Sequence, residues 1–224
     1  MKPENVSKNV IERLPKYYRC LKEMASDGVE RASSAKIAEE LNLTASQVRQ
    51  DLSIFGGFGQ QGYGYDAEFL KCRICSILGL KEERSAIIIG GGRIGQALAD
   101  YKGFKMENVF IKAIFDVETT HVRAAQGVKV LNVSELESYL LQNKTDVAII
   151  CVQKEIAKSA AERAVNAGVK AIWNFAPIDL RFGKNVACEN INMSESLMRL
   201  IYKLKALEEG EKEGENADGR EENK

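Results

Sequence analysis

The sequence is short of the residues that most enzymes and metal proteins are built on. It has one histidine, His121, and one Cys-x-x-Cys, Cys72-Arg73-Ile74-Cys75, with no second pair and no histidine nearby. A lone pair of this kind makes a poor zinc site. Three apart on a helix, the two sulfurs share one face, with buried packing as the plainer reading and a thiol switch as the alternative. The five cysteines (Cys20, Cys72, Cys75, Cys151, Cys188) are odd in number and scattered, which excludes a disulfide framework. No Ser/Tyr/Lys constellation for proton transfer is evident, so no catalytic residue and no metal ligand is assigned. The N-terminus, Met-Lys-Pro-Glu-Asn, lacks an apolar leader, and no run approaches membrane-spanning length. The expectation is a cytoplasmic protein. Net charge is also missing, with 32 bases against 32 acids. That zero is a sum of unlike parts, because Glu208 to Lys224 carries eight acids and three bases. Residues 1–72 hold ten of each sign, so a basic face there must come from arrangement.

What is present centres on Ala86-Ile87-Ile88-Ile89-Gly90-Gly91-Gly92-Arg93-Ile94-Gly95. A β-branched run ends in glycines and a helical pattern follows at once. Gly90, Gly92 and Gly95 form G-x-G-x-x-G. Gly90 permits a sharp turn, Gly92 lets a pyrophosphate approach the backbone, and Gly95 lets the helix pack on the strand. A second apolar run, Val109 to Phe115, ends in Asp116, 21 positions after Gly95. An acid at about that distance holds ribose hydroxyls and favours NAD(H) over NADP. His121, five residues past Asp116, would lie towards the adenine end and reads as a surface residue on a helix.

Residues 1–80 read as helices, a glycine-rich ribbon and a connecting helix. Pro15 suits a first helical position, with Leu14 extended before it. Tyr17, Cys20, Leu21 and Met24 then form one apolar stripe ending near Gly28. Ser33 or Ser34 caps a helix Ala35 to Leu41, and Asn42-Leu43-Thr44 is a turn. Thr44 and Gln47 have capping-box spacing for a helix reaching Phe55. Two short helices joined in this way form a helix-turn-helix. Its second helix presents Ser46, Gln47, Arg49, Gln50 and Ser53, side chains that reach bases and phosphates, while Val48 and Leu52 face inward. Gly56 to Tyr65, with Phe58, Gln60, Gln61, Gly62 and Tyr63, suits a hairpin wing. Asp66 to Leu80 is a helix.

From Ser85 the pattern alternates. Strands are expected at Gly127 to Leu131, Thr145 to Val152 and Val169 to Trp173. Helices are expected at Glu135 to Leu141, capped by Ser134, and at Ile156 to Ala167. This implies a parallel sheet with right-handed crossovers, and ligands beyond the strand C-termini, near residues 151–153 and 174–177. Met193, Leu197, Leu200, Leu204 and Leu207 are spaced as an a/d seam that needs a partner surface. Residues 208–224 read as a disordered acidic tail.

Up to about residue 207 the chain resembles Rex, the bacterial redox-sensing transcriptional repressors. The matching stretches are Arg13-Leu14-Pro15-Lys16-Tyr17-Tyr18-Arg19, Gln47 to Gly59, the loop 90–95 with Tyr101-Lys102-Gly103-Phe104, Phe115-Asp116 and Asn174-Phe175-Ala176-Pro177. The resemblance implies a homodimer with an N-terminal winged helix (1–80), a Rossmann domain (81–190) and a C-terminal helix (191–207) swapped onto the partner. It implies that NADH binding lowers affinity for an inverted-repeat operator. NADH or NAD+ would meet Gly90, Gly91, Gly92, Arg93, Ile94, Gly95, Tyr101, Asp116, Cys151, Val152, Asn174, Phe175, Ala176, Pro177 and Asn192. DNA would meet Arg13, Lys16, Arg19, the outward side chains of the second helix and the wing. Three departures stand out. Gln50 replaces the family's usual lysine, the usually basic wing tip is Gln60-Gln61, and Asn192 replaces an aspartate that pairs with the tyrosine matching Tyr101. The competing readings are an NAD-dependent oxidoreductase with a helical contact domain, and a CoA- or nucleotide-binding regulatory domain.

Overall fold

The computed structural model describes residues 6–56, 59–60, 63–124 and 127–221. The chain divides into two compact units, Met1–Glu83 and Arg84–Lys224.

In the first unit, α1 (Lys8–Ser26) packs on α2 (Ser34–Leu41), α3 (Ala45–Ser53) and α4 (Ala67–Ile77). Val10, Leu14, Tyr17, Leu21 and Met24 of α1 are buried, a stripe that begins before Pro15. Pro15 therefore lies inside the helix rather than at its start. It sits on the exposed side, while burial of the opposite stripe holds the helix together across the missing N–H. Ser33 caps α2, accepting from the Lys36 N–H at 3.0 Å, and Asn42 ends it in the left-handed region at φ 53°. Thr44 caps α3 by accepting from the Gln47 N–H at 3.1 Å. The strands β1 (Arg31–Ala32), β2 (Gly59–Gln60) and β3 (Gly64–Asp66) form an antiparallel sheet in the order β1-β3-β2. The hairpin β2–β3 is the wing, and β1 was not foreseen. Leu70 and Ile74 are the inward residues of α4; Cys72 is exposed and Cys75 half-buried, so buried packing does not explain this pair.

The second unit is a six-stranded parallel sheet in the order β6-β5-β4-β7-β8-β9. Its strands are β4 (Arg84–Ile89), β5 (Val109–Asp116), β6 (Lys129–Asn132), β7 (Val147–Ile150), β8 (Ala171–Asn174) and β9 (Ala187–Asn190). The central strands are covered on both faces, which is why β4 and β7 carry apolar residues on both. Ile87, Ile89, Phe115 and Ile150 pack with α7 (Leu136–Gln142) and α8 (Lys154–Asn166) on one face. Ala86, Ile88, Ile114 and Ile149 meet the other layer, which includes α5 (Arg93–Asp100) and Phe104 of the short α6 (Gly103–Met106). Four alanines of α8 (Ala157, Ala160, Ala161, Ala164) bring that helix close to the sheet.

Several local expectations are corrected. A single 3-10 turn, Val133–Glu135, precedes α7, and its cap is Asn132, not Ser134. The Asn132 carboxamide oxygen accepts from the Ser134 N–H while Glu135 accepts from the Asn132 N–H, a reciprocal capping box. His121 lies exposed in a turn, not on a helix. The helix α9 runs from Met193 to Glu221, through the segment expected to be a disordered tail. Glutamate, lysine and alanine are good helix formers, and i,i+4 pairs such as Lys205–Glu209 at 3.4 Å add to them. Among the described residues no helix is long and apolar enough to cross a membrane.

Candidate functional site

The chain leaves β4 at Ile89 and turns at Gly90, whose φ is +108°. A Cβ there would sit 2.5 Å from the Cys151 carbonyl oxygen, so both conformation and space demand glycine. Gly92 opens α5, and a Cβ on it would meet nothing within 4 Å. The space beside Gly92 is thus open where the positive end of the α5 dipole begins. A Cβ on Gly95 would fall on the Gly90 carbonyl oxygen, which is how α5 comes so close to the turn. Asp116, at the end of β5, accepts from the Gly91 N–H at 2.5 Å and from the Glu118 N–H at 3.0 Å. The acid and the loop form one unit. Gln96 completes it, donating to the Gly91 carbonyl at 2.6 Å and accepting from the Arg123 N–H at 3.2 Å. Sequence reasoning missed Gln96; its place one turn into α5 was the available signal.

Beside the loop lies a cleft of about 530 Å³, lined by Gly90, Gly92, Asp116, Cys151, Val152 and Arg163 among others. It lies where the strand order reverses, between the C-terminal ends of β4 and β7. Burial pushes the Cys151 thiol up to about 12, so it stays protonated at neutral pH. Arg93 and Ile94 are exposed on the first turn of α5. An opening that glycine leaves free, backed by backbone donors and followed by a carboxylate, fits a dinucleotide. The loop would hold its pyrophosphate and Asp116 its adenosine ribose.

A chain of edge-to-face rings packs on the sheet face that carries α5 and α6. Tyr101 meets Phe104 at 4.8 Å, Phe104 meets Trp173 at 5.6 Å, and Trp173 meets Phe175 at 4.7 Å between centroids. Tyr101 is 59 % exposed and has room for a partner. Asn174 is fully buried, and its side chain is spent inside the protein. It donates to the Ile178 carbonyl at 2.6 Å and to Asn190 Oδ1 at 2.9 Å, and accepts from the Ala176 N–H at 3.0 Å. Asn174 thus shapes the Phe175-Ala176-Pro177 turn rather than offering its amide. Asn192 lies just before α9, accepting from the Glu195 N–H at 3.2 Å and donating to Glu195 Oε1 at 3.1 Å. Its side chain is engaged in capping that helix.

In the first unit, α3 turns Ser46, Arg49, Gln50 and Ser53 outward and buries Val48 and Leu52. Arg49 is braced by Ser34 Oγ at 3.1 Å and Ser46 Oγ at 3.0 Å. Lys16 and Arg19 are exposed on α1, and Tyr63 lies exposed beside the wing with Arg31 over its ring at 5.5 Å. Phe58, Gln61 and Gly62 lie outside the described residues, and for Gln60 only the strand is described. Arg13 and Gln47, expected to meet DNA, direct their polar groups inward to Asp51. Asp51 is 1 % exposed and was not singled out from the sequence. Its Oδ2 accepts from Arg13 Nε and Tyr17 Oη, both at 2.6 Å, and its Oδ1 from Gln47 Nε2 at 2.7 Å and Arg13 Nη2 at 2.9 Å. Burial alone would push the Asp51 carboxyl up, but the bonds from Arg13, Tyr17 and Gln47 outweigh it and hold it below the usual carboxylate range. Burial, then the bond to Asp51, pushes the Tyr17 phenol well up. Only half of the capping box expected with Thr44 forms, the bond from the Gln47 N–H to Thr44 Oγ1.

Residues 5–53 match a family model described as "Putative DNA-binding protein N-terminus", and residues 81–178 match one described as "CoA binding domain". The redox-sensing transcriptional repressor Rex of Clostridium botulinum (strain Eklund 17B / Type B) is 45 % identical over 204 residues, covering 91 % of this chain and 97 % of that protein. The chain belongs to the Rex family. Rex of Clostridioides difficile (strain 630) is 43 % identical over 203 residues, covering 90 % and 97 %. The Rex-family repressor RSP, crystallised with β-NAD+ and operator DNA, superposes with a TM-score of 0.84 at 44 % identity, covering 92 % of this chain and 96 % of that one. RSP with β-NADH gives 0.82 at 41 % identity, covering 93 % and 98 %. This Rex-family chain thus combines a winged helix-turn-helix unit with a Rossmann unit suited to NAD, and its relatives are repressors, not enzymes.

Proposed function

We propose that this chain is a cytoplasmic, homodimeric repressor that grips an inverted-repeat operator with α3 and the wing and releases it when NADH occupies the glycine loop. The observation that carries the reading is the open backbone at Gly92 beside Asp116, on a chain whose other unit offers a free α3 face. The apolar side chains of α9 supply the case for a dimer. Met193, Leu197, Leu200, Leu204 and Leu207 are each more than half exposed and belong to none of the buried apolar clusters. Two α3 helices in a dimer meet major-groove half-sites only when about 34–36 Å apart, or a multiple of that. NADH must favour a dimer state that breaks this spacing, or it shifts nothing.

NAD+ and NADH differ only at the nicotinamide, so the exposed Tyr101 and the turn 174–177 are where discrimination belongs. Asn192 of the other subunit would reach that site as a neutral hydrogen-bonding group, with its capping role released or shared. Tyr101→Phe is expected to blunt release by NADH while operator affinity without cofactor stays intact. Unchanged release would remove Tyr101 from the switch.

The decisive experiment titrates the labelled RSP operator duplex with purified protein, followed by anisotropy at one stated salt, alone, with NAD+ and with NADH. Tight binding that NADH but not NAD+ reverses supports the reading. Binding indifferent to both cofactors leaves a repressor without a sensor. The match to a CoA-binding model keeps a second ligand in view. If CoA displaces NADH and itself frees the operator, the ligand assignment passes to CoA.

A further inference from the structure

The polar network beneath α3 has no place in the contacts just proposed. Helix α3 has nine residues, too few to hold their shape or heading alone. Its apolar contacts through Val48 and Leu52 are non-directional and tolerate a small roll about the helix axis. A roll of about 20° carries a side-chain tip at a radius of roughly 5–6 Å through about 2 Å. That is enough to break a base-edge hydrogen bond. Something directional must fix the roll. Asp51 leaves α3 on its buried side and receives four hydrogen bonds, three from α1 and one from Gln47 one turn back. The Arg13 fork is bidentate, and Tyr17 is wholly buried, so the carboxylate has one position available.

We propose that Asp51, held by Arg13, Tyr17 and Gln47, is a positioning residue for operator recognition. It sets the roll of α3 against α1, and Arg13 and Gln47 serve the DNA through it rather than by touching phosphate. The proposal rests on the reading of α3 as the operator-binding helix. A buried ion pair is weak evidence of added stability, since an apolar pair of similar volume often serves as well. What the apolar pair lacks is direction. The two roles therefore separate.

The test uses full-length protein and anisotropy titrations over a salt series, on the RSP operator duplex and on a random duplex of equal length. Asp51→Asn and Arg13→Gln are each expected to lose about tenfold or more on the operator, and less than about twofold on the random duplex. The salt slope should not change, because no phosphate contact is lost. Circular dichroism melting of the same samples, compared with the parent, reports that the first unit is folded. The pair Arg13→Met with Asp51→Leu guards against simple unfolding. It is expected to recover the parent's melting temperature but not its operator preference. Three results would overturn the proposal. One is a salt slope shallower by about 0.9 in Arg13→Gln with equal losses on both duplexes, the mark of a phosphate contact. Another is an Asp51→Asn protein with full operator preference. The third is a stable double variant that still prefers the operator. A control separates the underlying reading: if Arg49→Ala and Gln50→Ala also leave operator binding unchanged, α3 is not the DNA helix and both proposals fall.

Discussion

The two units fix their working helices by opposite means. In the second, α5 is held close by what is missing, since a single Cβ at Gly95 would strike the Gly90 carbonyl. In the first, α3 is held by what is added, a buried carboxylate drawing in three side chains. The purposes differ accordingly. A pyrophosphate is read by backbone N–H groups, so side chains must be cleared from its path. A base sequence is read by side chains, so the backbone carrying them must not roll. Both devices contain an aspartate at an element boundary or inner face, but Asp116 accepts from backbone and is half-buried, whereas Asp51 accepts only from side chains and is sealed.

The contrast can be broken from either side. Gly95→Ala has the largest expected effect. The new methyl group meets backbone, not a flexible tip, so α5 must move away from the turn. NADH affinity should fall by about 100-fold or more, as read by NADH fluorescence, while operator binding without cofactor persists. Retained NADH binding would show that close packing at Gly95 is dispensable. Pro15→Ala should sharpen the other side by restoring an N–H within α1, the helix that carries Arg13 and Tyr17. The first unit should gain about 1–3 kcal/mol, seen as a higher thermal midpoint. No gain would mean that the chain already compensates for the proline. Acid gives the smallest and most selective effect. Because the folded Asp51 titrates lower than an unfolded aspartate, its contribution is complete above about pH 4 and is lost as pH falls through the lower folded value. Melting temperatures taken from about pH 5 to pH 3 should fall less steeply in Asp51→Asn than in the parent.

Much of this was legible in the sequence, for identifiable reasons. Glycine loops and caps are local, so Gly90 to Gly95, Ser33 and Thr44 announce themselves by type and spacing. Pro15 misled because local propensity says "start" while the apolar stripe from Val10 says "middle", and burial wins. Asp51 hid because its charge suggested solvent, and its three partners lie either on α1 or one turn back. The strands β1 and β9 are short and hold few apolar residues, so their existence depends on the neighbour they pair with. Cys72 and Cys75 share a helix, but the inward stripe belongs to Leu70 and Ile74.

The strand order has a consequence for how the molecule is made. β4 lies between β5 and β7, and its partner Ile150 follows Ile89 by some 60 residues. At about 5–20 residues per second a ribosome needs several seconds to supply that partner. Until then the apolar run Ala86 to Ile89 of β4 has one open edge. The first unit is complete by Glu83. During synthesis the DNA-reading half can be folded while the sensing half is still waiting for its central sheet to close.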